Sequence, residues 1–311
     1  MTMTSDALVE CIPNFSEGRR SDVIDAIVDV IRHTPGVRVL DVSSDVDHNR
    51  TVVTFVGPPS PAAEAAFKAI DAAVHLINLD NHRGVHPRIG AADVVPFVPL
   101  RDFSMRACVE LARALGQHVA DKLKMPVYLY EQAALRPERS NLAEVRRHPY
   151  EQLRFTISAD PARAPDYGPA QMGKGGAVAI GARGPLIAFN AYLNTDDVSI
   201  AQAIARTVRQ SGGGLPYLKA LGLLVDGKAQ VSMNVVDYRQ TSLYTILERV
   251  RAEAKAHGVA VTHTELVGLV PQAALLDSAL AYLGLPPDVR KLTLEKRVGR
   301  VTGDFREIRF E

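Results

Sequence analysis

The chain has no tryptophan, only two cysteines, and aromatic residues at 6%. Cys11 and Cys108 form no CxxC pair, which excludes a disulfide scaffold and a cysteine-based zinc module. An excess of one charge is also missing, because Lys plus Arg is 36 and Asp plus Glu is 35, a net charge of +1. That balance excludes a nucleic-acid binder held by bulk charge and a disordered acidic chain. Any basic site has to be a local patch. No run approaches the roughly 18 apolar residues of a membrane span. Residues 1–10 lack the basic and apolar regions of a secretory signal. The expectation is a cytoplasmic protein with neither a membrane nor a nucleic-acid partner. Without export, the triplets Asn14-Phe15-Ser16 and Asn49-Arg50-Thr51 carry no sugar and need another explanation.

What is present is an ordinary globular composition, 47% apolar and 23% charged over 311 residues. At roughly 150 residues per domain, that is about two domains. Residues 8–12 predict a strand that stops at Pro13. Ser21 is placed to cap a helix over 22–32, with Val23, Ile24, Ile27, Val30 and Ile31 on one face. Runs 37–42 and 51–56 predict an antiparallel pair joined by a polar loop, 43–50. Pro61 sits just inside a helix whose stripe is Ala66, Phe67, Ile70, Ala73, Val74 and Ile77. A strand at 94–100, a helix at 104–123 and a strand at 127–130 follow. The order is β-α-β-β-α-β with an added α-β, the ferredoxin-like pattern. Residues 136–171 show no sustained period and predict a connection. The second half opens at 186–189 and repeats the order. It has a helix bearing Ala201, Ile204, Ala205 and Val208, strands at 221–225 and 230–235, and a helix bearing Leu243, Ile246, Leu247 and Val250. A strand at 260–269 and a helix at 271–283 complete it. The expected fold class is α/β (α+β), two ferredoxin-like βαββαβ subdomains at 1–180 and 181–311 with a ligand tunnel or cleft between them.

Four clusters could carry chemistry. The densest is 81–88, with His82, Arg83, His86 and Arg88 between a helix and a strand. Its residues suit a general acid/base histidine beside an anion site. The same residues are open to a metal pair at His82 and His86, against which Gly84 and Pro87 argue, or to a solvated basic loop. The second cluster, 168–176, has the spacing of a phosphate loop, but Gly175 stands where Ser or Thr should hold magnesium. An amide-rich loop with Gly168, Pro169, Lys174, Gly175 and Gly176 remains, suited to an anionic tail or to a plain linker. The third is the turn 13–18 with Asn14, Ser16 and Glu17. The fourth comprises Asp41, Asp45, Asp47, His48, Asn49 and Arg50, where an acidic group could orient His82.

These segments resemble the formiminotransferase family. The matching stretches are VECIPNFSEG from Val9, LDVSSDVDHNRTVVTFVGPP from Leu40 and HRGVHPRIGAADVVPFVPL from His82. VYLYEQAA from Val127, PDYGPA from Pro165, GARGPLIAFN from Gly181 and ELVGLVPQAALLDSAL from Glu265 follow. The resemblance implies transfer of a formimino group from N-formimino-L-glutamate to tetrahydrofolate, the latter as co-substrate, with no metal. It also implies a homodimer and places the catalytic histidine on His82 and the folate-binding segment on 168–176. Asn14, Ser16, Glu17, Asn49, Arg50, Arg83, His86 and Arg88 are the further binding candidates. An Asp of the family pattern is replaced by Ser43, so Asp45 becomes the expected partner of His82. The animal enzymes are fused to a cyclodeaminase. The 28 residues after Leu283 are too few for one, so a separate cyclodeaminase is expected to act downstream. A non-catalytic folate or small-ligand binding protein and a nucleotide-dependent enzyme are the competing readings.

Overall fold

A computed structural model describes residues 7–84 and 87–303. By its contacts the chain divides into two units, Met1–Gly184 and Pro185–Glu311. The first contains β1 (Leu8–Cys11), β2 (Asn14–Phe15), α1 (Ser21–Arg32), β3 (Arg38–Asp45), β4 (Arg50–Gly57), α2 (Pro59–Leu76) and β5 (Ala92–Arg101). After these come α3 (Met105–Leu123), β6 (Val127–Glu131), α4 (Leu142–Val145), α5 (Tyr150–Thr156) and β7 (Val178–Ala182). Pro13 lies in the gap between β1 and β2, and both pieces pair antiparallel with β4 and β5. The sheet therefore runs β3, β4, the interrupted first strand, β5, β7, β6, with β7 parallel to both of its neighbours. Its first four positions are the ferredoxin-like order.

Alternation along β6 shows how the two faces are used. Val127 and Leu129 join a core with Val23, Ile27 and Ile31 of α1, the alanines of α2, and Phe15, Phe55 and Phe97. Tyr128 and Tyr130 join a second cluster with Val94, Val145, Leu153 and Ile157. The run 136–171, expected as a connection, thus folds into α4 and α5 and covers part of the sheet. Asp166 ties this cover down: its carboxylate accepts from the Leu129 amide at 2.7 Å and meets Arg139 at 2.5 Å. Arg139 also lies 5.0 Å from the Tyr128 ring centroid.

The second unit holds β8 (Ile187–Leu193), α6 (Val198–Val208), β9 (Leu218–Val225), β10 (Lys228–Val235), α7 (Leu243–Ala256), β11 (Val261–Val267), α8 (Gln272–Tyr282) and α9 (Leu294–Thr302). Its antiparallel sheet has the order β11-β8-β10-β9, which is strand four, one, three, two. Both units therefore carry the expected ferredoxin-like core.

Three details differ from expectation. Ser21 begins α1 instead of capping it; Arg20 is the cap residue and gives no side-chain cap. The Glu17 carboxylate accepts from the Arg19 and Arg20 amides at 2.9 and 3.0 Å, an anion at a helix start. The hairpin strands run on to Asp45 and from Arg50, so the turn is only 46–49, with Asn49 left-handed at φ 49°. Strand β7 has no counterpart in the sequence reading. The expected boundary at 180/181 falls inside it, whereas the two units part at 184/185.

The Arg139–Asp166 pair is enclosed, with side-chain exposures of 5% and 2%. Asp166→Asn leaves a buried guanidinium without its counter-ion, which typically costs about 3–5 kcal/mol. The urea midpoint should fall accordingly; an unchanged midpoint would show that the pair contributes nothing.

Candidate active site

Close backbone contact builds the site from two distant segments of the first unit. The Leu79 amide donates to the Lys174 carbonyl and Ala91 to Gly175, each at 2.9 Å. Ala177 donates to Ile89 at 2.9 Å, and Gly90 bridges Gly176. A Cβ on Gly90 would lie 1.7 Å from the Ala177 carbonyl. One on Gly176, at φ +74°, would lie 2.3 Å from the Ile89 carbonyl. Only glycine permits this approach. The histidine–arginine segment and the glycine-rich segment are therefore one construction.

The turn after β2 is tied to the same place. Ser16 Oγ donates to the Gly90 carbonyl at 2.7 Å, and Thr51 Oγ1 donates to the Glu17 carbonyl at 2.6 Å. Asn49 links three pieces: its Oδ1 accepts from the Gly18 amide at 2.9 Å, and its Nδ2 donates to the Arg83 carbonyl at 3.0 Å. Its own carbonyl lies 3.0 Å from His82 Nε2. A carbonyl only accepts, so Nε2 carries the imidazole proton and Nδ1 holds the lone pair. Nδ1 is buried and meets no hydrogen-bond partner among the described residues. Burial lowers the His82 pKa below its ordinary 6.5; Arg88 adds to this, while the Asn49 bond and Glu17 oppose it. His82 is therefore neutral near pH 7.

The other candidates divide. Asn14, Ser16, Glu17, Asn49, His82 and Arg88 are all buried. Arg88 donates to the His82 carbonyl at 3.2 Å and to Glu151 at 2.7 Å. Arg50 donates to Asn14 Oδ1. Arg83 is exposed and holds the His82 and Asp80 carbonyls. Lys174 is exposed at the tip of its loop. Gly168 and Pro169 lie apart from the histidine, next to the bridge between Tyr167 and Val127. His86 lies outside the described residues. Asp45, expected to orient His82, instead accepts from the His48 amide at 2.7 Å and pairs with the His48 ring at 2.8 Å. The reason is local: the tight 46–49 turn brings His48 back over Asp45, and the Asn49 carbonyl takes the place beside His82.

Two residues at this end of the sheet escaped the sequence reading. Asp93 is buried, accepts from the Ile89 amide at 2.8 Å and pairs with Arg146. A single charge within the apolar run 91–98 was its readable signal. Arg146 lies in the aperiodic 136–171 stretch, where no pattern marks it. Among the described residues, no group of three or more His, Cys, Asp or Glu is placed to hold a metal ion.

This ferredoxin-like unit brings a neutral histidine, a buried arginine and an amide-rich loop together. Residues 8–183 match the formiminotransferase domain, N-terminal subdomain, and 188–296 match the formiminotransferase domain. The chain belongs to the formiminotransferase family. It is 50% identical to a glutamate formimidoyltransferase of Thermoplasma acidophilum over 90% of this chain and 93% of that protein. A glutamate formimidoyltransferase of Streptococcus pyogenes serotype M1 is 44% identical, with 94% and 98% covered. A formimidoyltransferase-cyclodeaminase of Mus musculus is also 44% identical over 88% of this chain, which spans 52% of the mouse protein.

The lowered His82 pKa has a stability consequence. The unfolded chain takes up this proton more readily than the folded one. Stability is therefore lost as pH falls through 6.5, and the loss is complete only below the lowered folded value. His82→Gln removes this titration. Between about pH 7.5 and about pH 5 the wild type should lose stability relative to the variant, read from urea midpoints. Parallel curves would contradict the shift.

Proposed function

We propose that the chain is a glutamate formimidoyltransferase, moving a formimino group from N-formimino-L-glutamate to tetrahydrofolate. The observation that carries this reading is the joining of Leu79 and residues 89–91 to residues 174–177, together with the identity to relatives of that name. The folate N5 attacks the formimino carbon, the bond from that carbon to the glutamate nitrogen breaks, and 5-formiminotetrahydrofolate and glutamate leave. N5 loses a proton and the glutamate nitrogen gains one, so one histidine can serve both steps with no redox change.

We assign that proton transfer differently from the resemblance. Both His82 nitrogens face inward: Nε2 is committed to the Asn49 carbonyl and Nδ1 is shut from solvent. This geometry supports His82 as a positioning residue that fixes the segment, and leaves the reaction to His86. His86→Ala should lower kcat by about 10²–10⁴ with folate affinity retained. His82→Ala should lose activity that His82→Gln largely restores, because the glutamine N–H can still reach the Asn49 carbonyl. No rescue by glutamine, with an active His86→Ala, would return the base role to His82.

Lys174 has its ammonium in solvent while its carbonyl fastens the loop to Leu79. We assign it to the acidic tail of the folate. Lys174→Ala should raise the folate KM more than it lowers kcat, most at low salt, where charge attraction is least screened. An unchanged folate KM at low salt would remove Lys174 from the site.

The product is expected to keep its formimino nitrogen until a cyclodeaminase activity, the second word in the mouse relative's name, acts on it. The resemblance also supports a homodimer as the working form. A coupled assay of purified chain, donor and tetrahydrofolate should release glutamate and accumulate 5-formiminotetrahydrofolate; binding of folate without glutamate release would favour the non-catalytic reading.

A further inference from the structure

Helix α5 takes hold of the 80–88 stretch at both ends. Tyr150 Oη donates to Asp80 Oδ1 at 2.9 Å, and Arg154 Nη1 donates to the same oxygen at 2.8 Å. Tyr150 and Arg154 are four residues apart and share a helix face. The Arg154 guanidinium lies 5.5 Å from the Tyr150 ring centroid, and that stacking brings both donors to one oxygen. At the other end, the Tyr150 amide donates to the Arg88 carbonyl at 2.8 Å. The Glu151 carboxylate accepts from both terminal nitrogens of Arg88, at 2.7 and 3.3 Å. Arg88 passes the hold on, because its Nη2 also donates to the His82 carbonyl at 3.2 Å.

The helix is itself fixed from beneath. Tyr150 is buried, and Leu153 and Ile157 join the cluster that contains Tyr128, Tyr130 and Val94. Its polar contacts have a different character. Glu151 is 53% exposed, Arg154 41% and Asp80 35%. Ion pairs this open to solvent add little to global stability. Their common target is instead the span of one stretch: Asp80 and Arg88 are both gripped by groups within a single turn of helix. Reacting groups need support of this kind from a rigid element whose own side chains are locked by packing.

Resting on the transfer function proposed above, which gives the reaction to this stretch, we propose that α5 is the clamp that places it. Asp80 and Glu151 are the positioning residues, one at each grip, and neither touches substrate.

Single-turnover rates at saturating substrates, for Asp80→Ala, Glu151→Ala and the double variant, test this. Each single variant should lose a few-fold in rate, because the other grip still holds. The double variant should lose about 100-fold, the scale of a misplacement of about 1 Å, and more than the product of the two single losses. KM for both substrates should change only a few-fold. Glu151→Gln should restore most of the rate lost in Glu151→Ala, since its carbonyl oxygen still accepts from Arg88. Losses that simply multiply would overturn the joint clamp, and so would a rise in KM at unchanged rate, or unchanged rates throughout.

If the double variant melts early, Tyr150→Phe combined with Glu151→Gln keeps the ring in the core and the size of each side chain. The same more-than-multiplicative loss should appear, smaller in size; wild-type rates would overturn the proposal. Wild type that transfers no formimino group would instead overturn the function proposed above. Amide hydrogen exchange then still reads the clamp. The Asn81 and His82 amides, which donate to the Asn78 and Leu79 carbonyls, should exchange faster in the double variant, while the Leu129 amide, held by Asp166, keeps its rate. Unchanged exchange at 81–82 rejects the clamp.

Discussion

The approach of two backbones at Gly90 and Gly176 is the constraint on which the site depends. A single Cβ at either position would collide with a carbonyl of the facing chain. Because neither has one, residues 174–177 lie directly against Leu79 and residues 89–91, and β7 can enter the sheet beside β5. Strand β7 is parallel to both neighbours and buried along its whole length. It cannot be moved without dragging the glycine-rich loop with it. Packing of the sheet core and placement of the candidate folate loop are thus the same event.

Charge is distributed around this point in two different ways. Arg139 and Asp166 are enclosed, and between them they hold the Leu129 amide, the Ala164 carbonyl and the face of Tyr128. The balance is local and the pair serves to fasten the cover over the sheet. Asp93 and Arg146 look alike in composition but differ in consequence. Asp93 commits one oxygen to the Ile89 amide and the other to Arg146, whose charge adds to burial in lowering the Arg50 pKa.

Much of this was legible before the structure. Helical stripes such as Val23, Ile27 and Ile31, and the alternating runs of the hairpins, gave both ferredoxin-like cores because burial on one face imposes those periods. Strand β7 was not legible, since a strand buried on both faces shows no alternation, and VAIGA is too short to be told from a linker of small residues. The 136–171 stretch hid α4 and α5 for a related reason: elements of four and seven residues are shorter than the window a helical period needs. In the site, residue types were readable and roles were not. Asp45 and His48 are separated by a turn whose tightness depends on Asn49 adopting a left-handed backbone, a matter of conformation that spacing does not encode.

The 81–88 cluster shows how a polar motif divides once it is folded. Arg83 turns outward and braces its own backbone, while Arg88 turns inward to the His82 carbonyl and Glu151. His82 spends its one N–H on the far side of the hairpin turn, at Asn49, and so converts a loop into a strut. The proton carrier proposed for this segment would need such struts, because a misplacement of about 1 Å can cost two orders of magnitude in rate. The surrounding residues make the same demand: Ser16 on Gly90, Asn49 on Gly18 and Arg83, and Asp93 on Ile89 all fix backbone, not ligand. The density of polar residues that marks this region in the sequence is therefore mostly scaffolding that fixes backbone.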